Sequence, residues 1–269
     1  MGRSPVSCLL QHQSASSTRM ALTIPYNVVE GTSAQLLVSM QDYLGPGNDK
    51  IGLLLASQSP RRKEILDMMG LAGLFEAVPS PLDETALQIH LMEQEGGMPD
   101  PKNYTRILAE EKAKALAERV AADTTRPTLV LGSDTIVALN NEILEKPQDI
   151  QDAKRRLTQL SGNQHTVHTG VALYRVLPPA VSGTVIELVT SFTETANVRF
   201  ATLSSQDIDA YIATGEPMDK AGSYGIQGIG GQLVAGIEGD FFAVMGLPMH
   251  RTSRQLSLAI TDIVEVRKR

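Results

Sequence analysis

Apolar runs alternate with stretches of helical periodicity from about residue 51 to near the C-terminus. The continuous run Leu53-Leu54-Leu55-Ala56 is typical of a buried strand. Further strands are predicted at 75–78, 128–131 with an extension at 136–139, 166–176, 185–200 and 241–244. Helices are predicted at 60–69, 103–122, 149–160, 204–212 and 248–264. The alternation indicates an α/β domain with a mixed central sheet flanked by helices. The two longest strands are joined by proline and glycine, which favours an antiparallel pair.

Local signals indicate where several helices begin. Ser59 followed by Pro60 predicts a helix start with a side-chain cap and a proline in the first turn. Ser204 with Asp207 resembles a capping box. The helix predicted at 103–122 carries an apolar stripe at Ala109, Ala113, Leu116 and Val120.

The first fifty residues differ from the rest of the chain. Residues 1–50 are interpreted as a partly disordered N-terminal extension, and residues 51–269 as the compact α/β domain. The single cysteine, Cys8, permits no intrachain disulfide, so we expect a reducing compartment and a cytoplasmic protein. No apolar run approaches the length of a membrane span, so no membrane partner is expected.

The net charge of the chain indicates which classes of molecule it can bind. The chain of 269 residues has a formal net charge of -6 and a pI of about 5.4. Proteins that bind long nucleic acids usually present a basic face and a high pI, so that class is disfavoured. A small anionic substrate remains compatible, because its pocket needs only a local cluster of cations.

A cluster of basic residues lies in the first turn of a predicted helix, where positive charge is unfavourable. Arg61, Arg62 and Lys63 occupy the first turn of the helix that follows Ser57 and Ser59. The N-terminal end of a helix carries partial positive charge and prefers Asp or Glu. A bound phosphate would resolve this conflict, although a solvated basic turn remains an alternative. The segment is not a P-loop, since the sequence lacks the corresponding glycine and lysine pattern.

Acidic side chains follow two other predicted strands. Asp134 comes directly after the strand at 128–131, and Glu84 lies just beyond the strand at 75–78. Carboxylates there could hold a divalent metal or accept a proton from water, both of which phosphoanhydride hydrolysis requires. The alternative is that Asp134 begins a turn and Glu84 is a surface residue. Lys146, in the turn Glu145-Lys146-Pro147, could meet a terminal phosphate or be solvated.

The segment 219–231 is rich in glycine and polar residues. Glycine allows the backbone to approach a ligand closely, Lys220 adds a cation, and Gln227 offers a donor and an acceptor for a base edge. A flexible surface loop is the alternative. His165 and His168 lie three apart on a predicted strand, so their side chains point to opposite faces and cannot chelate one metal together.

Taken together, these stretches resemble the Maf family. The matching text is LASQSPRRKE at 55–64, GSDTIV at 132–137, EKP at 145–147, LSG at 160–162, EPMDKAGSYGIQG at 216–228 and GDFFAVMGLP at 239–248. Each motif alone is modest, but their order over about residues 51–260 is specific.

The resemblance implies a fold related to the inosine triphosphatases, often as a homodimer. It implies hydrolysis of dTTP or UTP, and also of CTP or modified nucleotides, to the monophosphate and pyrophosphate with Mg²⁺ or Mn²⁺. By resemblance, the general base is Asp134, and the specificity residues are Arg61, Thr135 and Gln227. The phosphate and metal contacts implied are Ser57, Ser59, Arg62, Glu84, Asp134, Lys146 and Lys220.

Two alternatives remain open from the sequence. One is a non-catalytic nucleotide-binding regulator of cell division, and the other is a pyrophosphatase acting on 7-methyl-GTP. The presence of Asp134 together with the cations favours an enzyme, because a protein that only binds nucleotides has no need of a base.

Overall fold

The computed structural model of this chain describes residues 40–94, 100–180 and 183–267. Residues 1–39 of the predicted extension, with Cys8, lie outside the described residues. The strands are β1 (Gly52–Leu55), β2 (Glu76–Ala77), β3 (Thr128–Leu139), β4 (Glu142–Leu144), β5 (Gln164–Ala180), β6 (Gly183–Phe200) and β7 (Val234–Glu238). The helices are α1 (Pro60–Leu66), α2 (Glu84–Gln94), α3 (Pro101–Ala121), α4 (Ile150–Leu160), α5 (Ser205–Ala213), α6 (Phe241–Met245) and α7 (Met249–Arg267).

These strands form one mixed sheet in the order β2-β1-β3-β5-β6-β7, with β4 paired to β3. Strand β1 pairs in parallel with β2 and β3, whereas the remaining pairs are antiparallel. The predicted α/β class with a mixed sheet is confirmed, as is the antiparallel pairing of the two longest strands. Among the described helices, none combines the length and apolar composition that crossing a membrane would require.

The two faces of the sheet have separate cores. Leu129 and Leu131 of β3 pack with residues of α1 and α7 on one face. Val130, between them, packs on the other face against the alanine-rich stripe of α3. This alternation follows from the two-residue period of a strand and explains why β3 reads as a continuous apolar run.

Helix α3 approaches the sheet closely at two glycines. A Cβ atom at Gly132 of β3 would collide with the carbonyl oxygen of Ala109, and one at Gly170 of β5 would collide with that of Thr105. Backbone can come this near only where no side chain intervenes. The close approach brings Lys112, a buried charged residue of α3, against the centre of β3.

The segment before β1 is part of the folded body. Met40 and Leu44 are buried in the core shared with α1 and α7. Arg126 Nη1 donates to the carbonyl oxygens of Gly45 and Gly47, both at 2.5 Å. Residues within 40–50, part of the predicted extension, therefore pack with the domain that follows.

The structure corrects two local predictions. The run at 241–244, expected as a strand, is helix α6, because Asp240 accepts a hydrogen bond from the Phe242 N–H at 2.7 Å and opens a helical turn. Ser59 precedes α1, but its side chain makes no capping hydrogen bond. The Ser59 N–H instead donates to Ser57 Oγ at 3.2 Å. The capping box of Ser204 and Asp207 is confirmed.

Candidate active site

A cleft of about 730 Å³ lies beside the carboxyl end of β1 and the central part of β3. This volume is in the range of small-molecule and cofactor pockets. Its lining includes nearly all of the predicted site residues: Ser57, Ser59, Arg61, Arg62, Glu84, Asp134, Thr135, Lys146 and Lys220. Segments far apart in sequence thus converge on one site.

Asp134 is 9% exposed and shares a buried cation with Glu84. Lys112 Nζ lies 2.6 Å from Asp134 Oδ1 and 2.7 Å from Glu84 Oε2. Burial alone would lower the pKa of the Lys112 ammonium, but the two carboxylates outweigh it, and the pKa is raised above its usual value. Lys112 is therefore charged at neutral pH and fixes one oxygen of Asp134.

Lys112 is not among the site residues predicted from the sequence. A signal was present, since Lys112 lies on the same side of the helix as Ala109 and Ala113, within an otherwise apolar stripe. A lysine is almost never buried without a charged partner. A lysine on the buried face of a helix therefore indicates a carboxylate opposite it.

Arg62 is held by the protein on three sides. Its Nε donates to the Gly246 carbonyl at 2.9 Å, Nη1 to Ser57 Oγ at 3.0 Å, and Nη2 to Thr135 Oγ1 at 3.2 Å. Burial, the largest influence, lowers the pKa of this guanidinium from its usual value. Arg62 therefore ties α1 to β3 and to the turn after α6, and its predicted phosphate contact stays a prediction.

Thr135 belongs to the same network. Thr169 Oγ1 donates to the Ala243 carbonyl at 2.8 Å, so its single proton is already used. The 2.9 Å contact between the Thr135 and Thr169 hydroxyls must then use the proton of Thr135. With Arg62 donating to it as well, the Thr135 hydroxyl has both a donor and an acceptor partner within the protein.

Three cationic side chains predicted for the site line the cleft, but they differ in whether the protein already provides them with hydrogen-bond partners. Lys220 Nζ donates to the Glu216 carbonyl at 2.8 Å and to Asp219 Oδ1 at 2.5 Å. Within the described residues, Arg61 and Lys146 have no hydrogen-bond or ion-pair partner, although both line the cleft. These two side chains are the ones most free to bind an incoming anion.

Glu145 is a carboxylate of the cleft that the sequence analysis mentioned only as part of a turn. Its Oε1 accepts from Tyr104 Oη at 2.9 Å. Burial and, next, the negative charge of Asp134 raise the pKa of Glu145 above its usual value. Glu145, Asp134 and Glu84 therefore line one cleft that also holds Arg61, Arg62, Lys112, Lys146 and Lys220.

Gln227 differs from the other predicted residues. It does not line the cleft, and its Nε2 donates to Glu64 Oε2 at 2.9 Å on the exposed side of α1. The neighbouring residues Tyr224, Gly225 and Ile226 line the cleft instead. A role for Gln227 in reading a base would require its side chain to leave Glu64.

The two histidines point to different surroundings, as their spacing predicts. His165 Nε2 lies 2.9 Å from Tyr224 Oη, and His168 Nδ1 lies 2.9 Å from Thr195 Oγ1. Burial, the largest influence at both sites, lowers each pKa to about 4, so both rings are neutral at pH 7. Across the described residues, no group of three or more His, Cys, Asp or Glu is placed to hold a metal without other ligands.

Comparison with known proteins shows which family the chain is similar to. The family described as Maf: Maf-like protein matches residues 52–259. The chain is 48% identical to a dTTP/UTP pyrophosphatase of Shewanella oneidensis over 212 residues, which is 78% of this chain and 98% of that protein. It is 44% identical to a dTTP/UTP pyrophosphatase of Vibrio cholerae over 204 residues, covering 76% and 96%.

A human relative is similar over only part of its length. The chain is 42% identical over 205 residues to a probable bifunctional dTTP/UTP pyrophosphatase/methyltransferase protein of Homo sapiens. The match covers 76% of this chain and 31% of the human protein.

Proposed function

This chain belongs to the Maf-like family, and from that premise we propose that it hydrolyses dTTP and UTP to the nucleoside monophosphate and pyrophosphate. The observation that carries the proposal is the placement of Asp134, fixed by Lys112, in a cleft that also contains Arg61 and Lys146, which have no side-chain partner among the described residues. A polyanion bound by such cations would lie beside a carboxylate able to accept a proton.

Asp134 is the general base in this proposal. Lys112 donates to Oδ1, and within the described residues no protein group donates to Oδ2. Oδ2 can therefore accept a proton from a water molecule while that water attacks the α-phosphorus. The bond from water oxygen to the α-phosphorus forms, the bond to the bridging oxygen breaks, and pyrophosphate leaves with the bond electrons.

Arg61 and Lys146 bind the phosphates in this proposal, with Lys220 beside them. The planar guanidinium of Arg61 matches two phosphate oxygens at once, and the ammonium of Lys146 acts as a point charge. Ser57 and Ser59 lie at the same wall. Arg62 would act mainly by fixing this wall, because three of its N–H directions already point to protein acceptors.

A divalent cation, Mg²⁺ or Mn²⁺, fits the oxygen donors of the cleft. Glu84 and Asp134 already share one cation, the Lys112 ammonium, within 2.7 Å. Magnesium commonly binds through one or two carboxylates together with phosphate oxygens and water. Glu84 and Asp134 would hold the ion with the triphosphate, and the bound ion would neutralise phosphate charge.

The preference for dTTP and UTP rests on the named relatives. Among the proposed specificity residues, Arg61 and Thr135 both line the cleft, although Thr135 is tied into the Arg62 network, and Gln227 lies outside the cleft. Activity on CTP or modified nucleotides is part of the proposal. No observation favours the 7-methyl-GTP pyrophosphatase or the non-catalytic regulator of cell division over it.

We further propose that the enzyme acts in the cytoplasm as a homodimer. The single cysteine supports a reducing compartment. Light scattering coupled to size-exclusion chromatography would give the mass in solution. A mass of one chain over the working concentration range would overturn the dimer.

The activity is tested with purified protein, Mg²⁺ and a panel of dTTP, UTP, CTP and 7-methyl-GTP in ¹⁸O-labelled water. The proposal expects fastest turnover of dTTP and UTP, with pyrophosphate as product and the label in the monophosphate. Release of inorganic phosphate, label in pyrophosphate, or no turnover of any nucleotide would contradict it. Replacement of Mg²⁺ by a chelator should abolish turnover.

A further inference from the structure

The glycine-rich segment wraps around a carboxylate of the protein itself. Glu216 Oε2 accepts from the backbone N–H of Ile229 at 2.8 Å, and Oε1 accepts from that of Gly230 at 3.1 Å. Tyr211 Oη donates to Oε1 at 3.0 Å. An anion is thus bound in a concave stretch of backbone, as phosphates often are, but this anion belongs to the chain.

Three glycines of the segment lie where a side chain would collide with this arrangement. A Cβ atom at Gly228 would collide with the Glu216 carboxylate, and one at Gly225 would collide with the Lys220 side chain and lie 3.0 Å from Glu216 Oε1. A Cβ atom at Gly230 would collide with Tyr211 Oη. Glycines here were predicted to let the backbone approach a ligand. The groups that these three approach are side chains of the protein itself, those of Glu216, Tyr211 and Lys220.

Tyr211 links Glu216 by hydrogen bonds to Gly225, in the part of the segment that lines the cleft. Its Oη accepts from the Gly225 N–H at 3.1 Å while donating to Glu216. Gly225 lies between Tyr224 and Ile226, and all three line the cleft. The carbonyl oxygen of Glu216 also accepts from Lys220 Nζ at 2.8 Å.

We propose that Glu216, assisted by Tyr211, is a positioning residue that shapes the wall of the cleft formed by residues 220–226. This inference rests on the proposed function, since it assigns that wall to holding the nucleotide. Burial alone would raise the pKa of Glu216, but the hydrogen bonds from Gly230, Ile229 and Tyr211 outweigh it and lower the pKa. The group is therefore an ionised acceptor at neutral pH.

Two substitutions test the role of Glu216. Glu216→Gln keeps the shape but replaces one accepting oxygen with an NH₂ group, and Tyr211→Phe removes the hydroxyl bridge. Because Asp134 lies on β3 and not on this segment, we expect KM for dTTP to rise about 10-fold, as the loss of hydrogen bonds to a charged acceptor would produce. We expect kcat to fall by less than about 3-fold, since binding is lost more than chemistry.

Limited trypsin digestion supplies a readout that does not depend on activity. In the wild type the Lys220 side chain is held, and we expect slow cleavage after it, with cleavage accelerated in both variants. Glu265→Gln, an exposed position on α7, is the matched control and should behave as wild type. A loss of kcat with unchanged KM, or unchanged KM and proteolysis in both variants, would overturn the inference.

Failure of this inference is distinguishable from failure of the proposed function. If wild-type protein hydrolyses dTTP but the variants match it in KM and proteolysis, Glu216 has no positioning role. If wild-type protein hydrolyses no nucleotide, the proposed function is wrong and the inference falls with it. Should Glu216→Gln fail to fold, Tyr211→Phe carries the same test with a smaller structural change.

Discussion

Replacing Lys112 with methionine removes the cation that Asp134 and Glu84 share. Lys112 and Asp134 have side chains only 7% and 12% exposed, whereas the Glu84 side chain is 46% exposed. Breaking a buried ion pair by removing one partner costs about 3–5 kcal/mol, and an exposed pair contributes at most about 1 kcal/mol. We therefore expect Lys112→Met to destabilise the fold by about 3 kcal/mol. Nearly all of this cost comes from leaving the buried Asp134 carboxylate without its cation.

Urea unfolding measures this loss as a lower midpoint with an unchanged slope. In thermal unfolding it corresponds to a lower Tm by about 6–12 °C. The matched control on the same helix is Lys114→Met. The pair of Lys114 with Glu111 is exposed and 3.9 Å long, so its loss should change stability by less than about 0.5 kcal/mol.

A double-mutant cycle tests the assignment to Asp134. In an Asp134→Asn background the buried negative charge is already absent, so Lys112→Met should cost much less than in the wild type. Equal costs in the two backgrounds would refute the reasoning. So would a Lys112→Met variant no less stable than Lys114→Met.

Two further predictions concern stability and packing. Burial lowers the pKa of His165 and His168 to about 4, so as the pH falls from about 6.5 the unfolded chain is protonated at these histidines before the folded protein is. The free energy of unfolding should therefore decrease as the pH drops from about 6.5 to 4. His165→Phe should make this decrease smaller, as measured by urea midpoints at a series of pH values. A slope unchanged in His165→Phe would contradict that. Gly132→Ala places a methyl group against the Ala109 carbonyl, so it should cost at least about 1–3 kcal/mol and reduce turnover by displacing Lys112. In the control Gly73→Ala a Cβ meets no atom within 4 Å, so the backbone strain of its φ of 75° should lower stability but leave turnover unchanged.

Much of the fold followed from the sequence because its elements carry strong local signals. The apolar runs of β1 and β3 are buried on both faces, which makes them continuous. The run at 241–244 failed for a physical reason. Four apolar residues fit a strand or a helical turn equally well, and the capping bond from Phe242 to Asp240 decides for the helix.

The site could be predicted where residues follow the ends of strands. Arg61 and Asp134 converge because β1 and β3 are parallel neighbours in register. Lys112 interrupts the apolar stripe of α3, but which carboxylate it would meet depends on the close approach of α3 to β3 at Gly132, a contact that the sequence does not show. The place of Gln227 depends on how the segment folds around Glu216, a contact between residues that no local pattern reveals.

The central claim is that Asp134 accepts the proton of the attacking water, and the most direct test is pyrophosphate release by Asp134→Asn under single-turnover conditions with dTTP and Mg²⁺. We expect a rate about 100- to 10,000-fold below that of wild type, with wild-type rates in the exposed control Asp262→Asn. Binding of dTTP, measured by calorimetry, should persist in the Asp134→Asn variant. An Asp134→Asn enzyme that releases pyrophosphate at the wild-type rate would contradict the account.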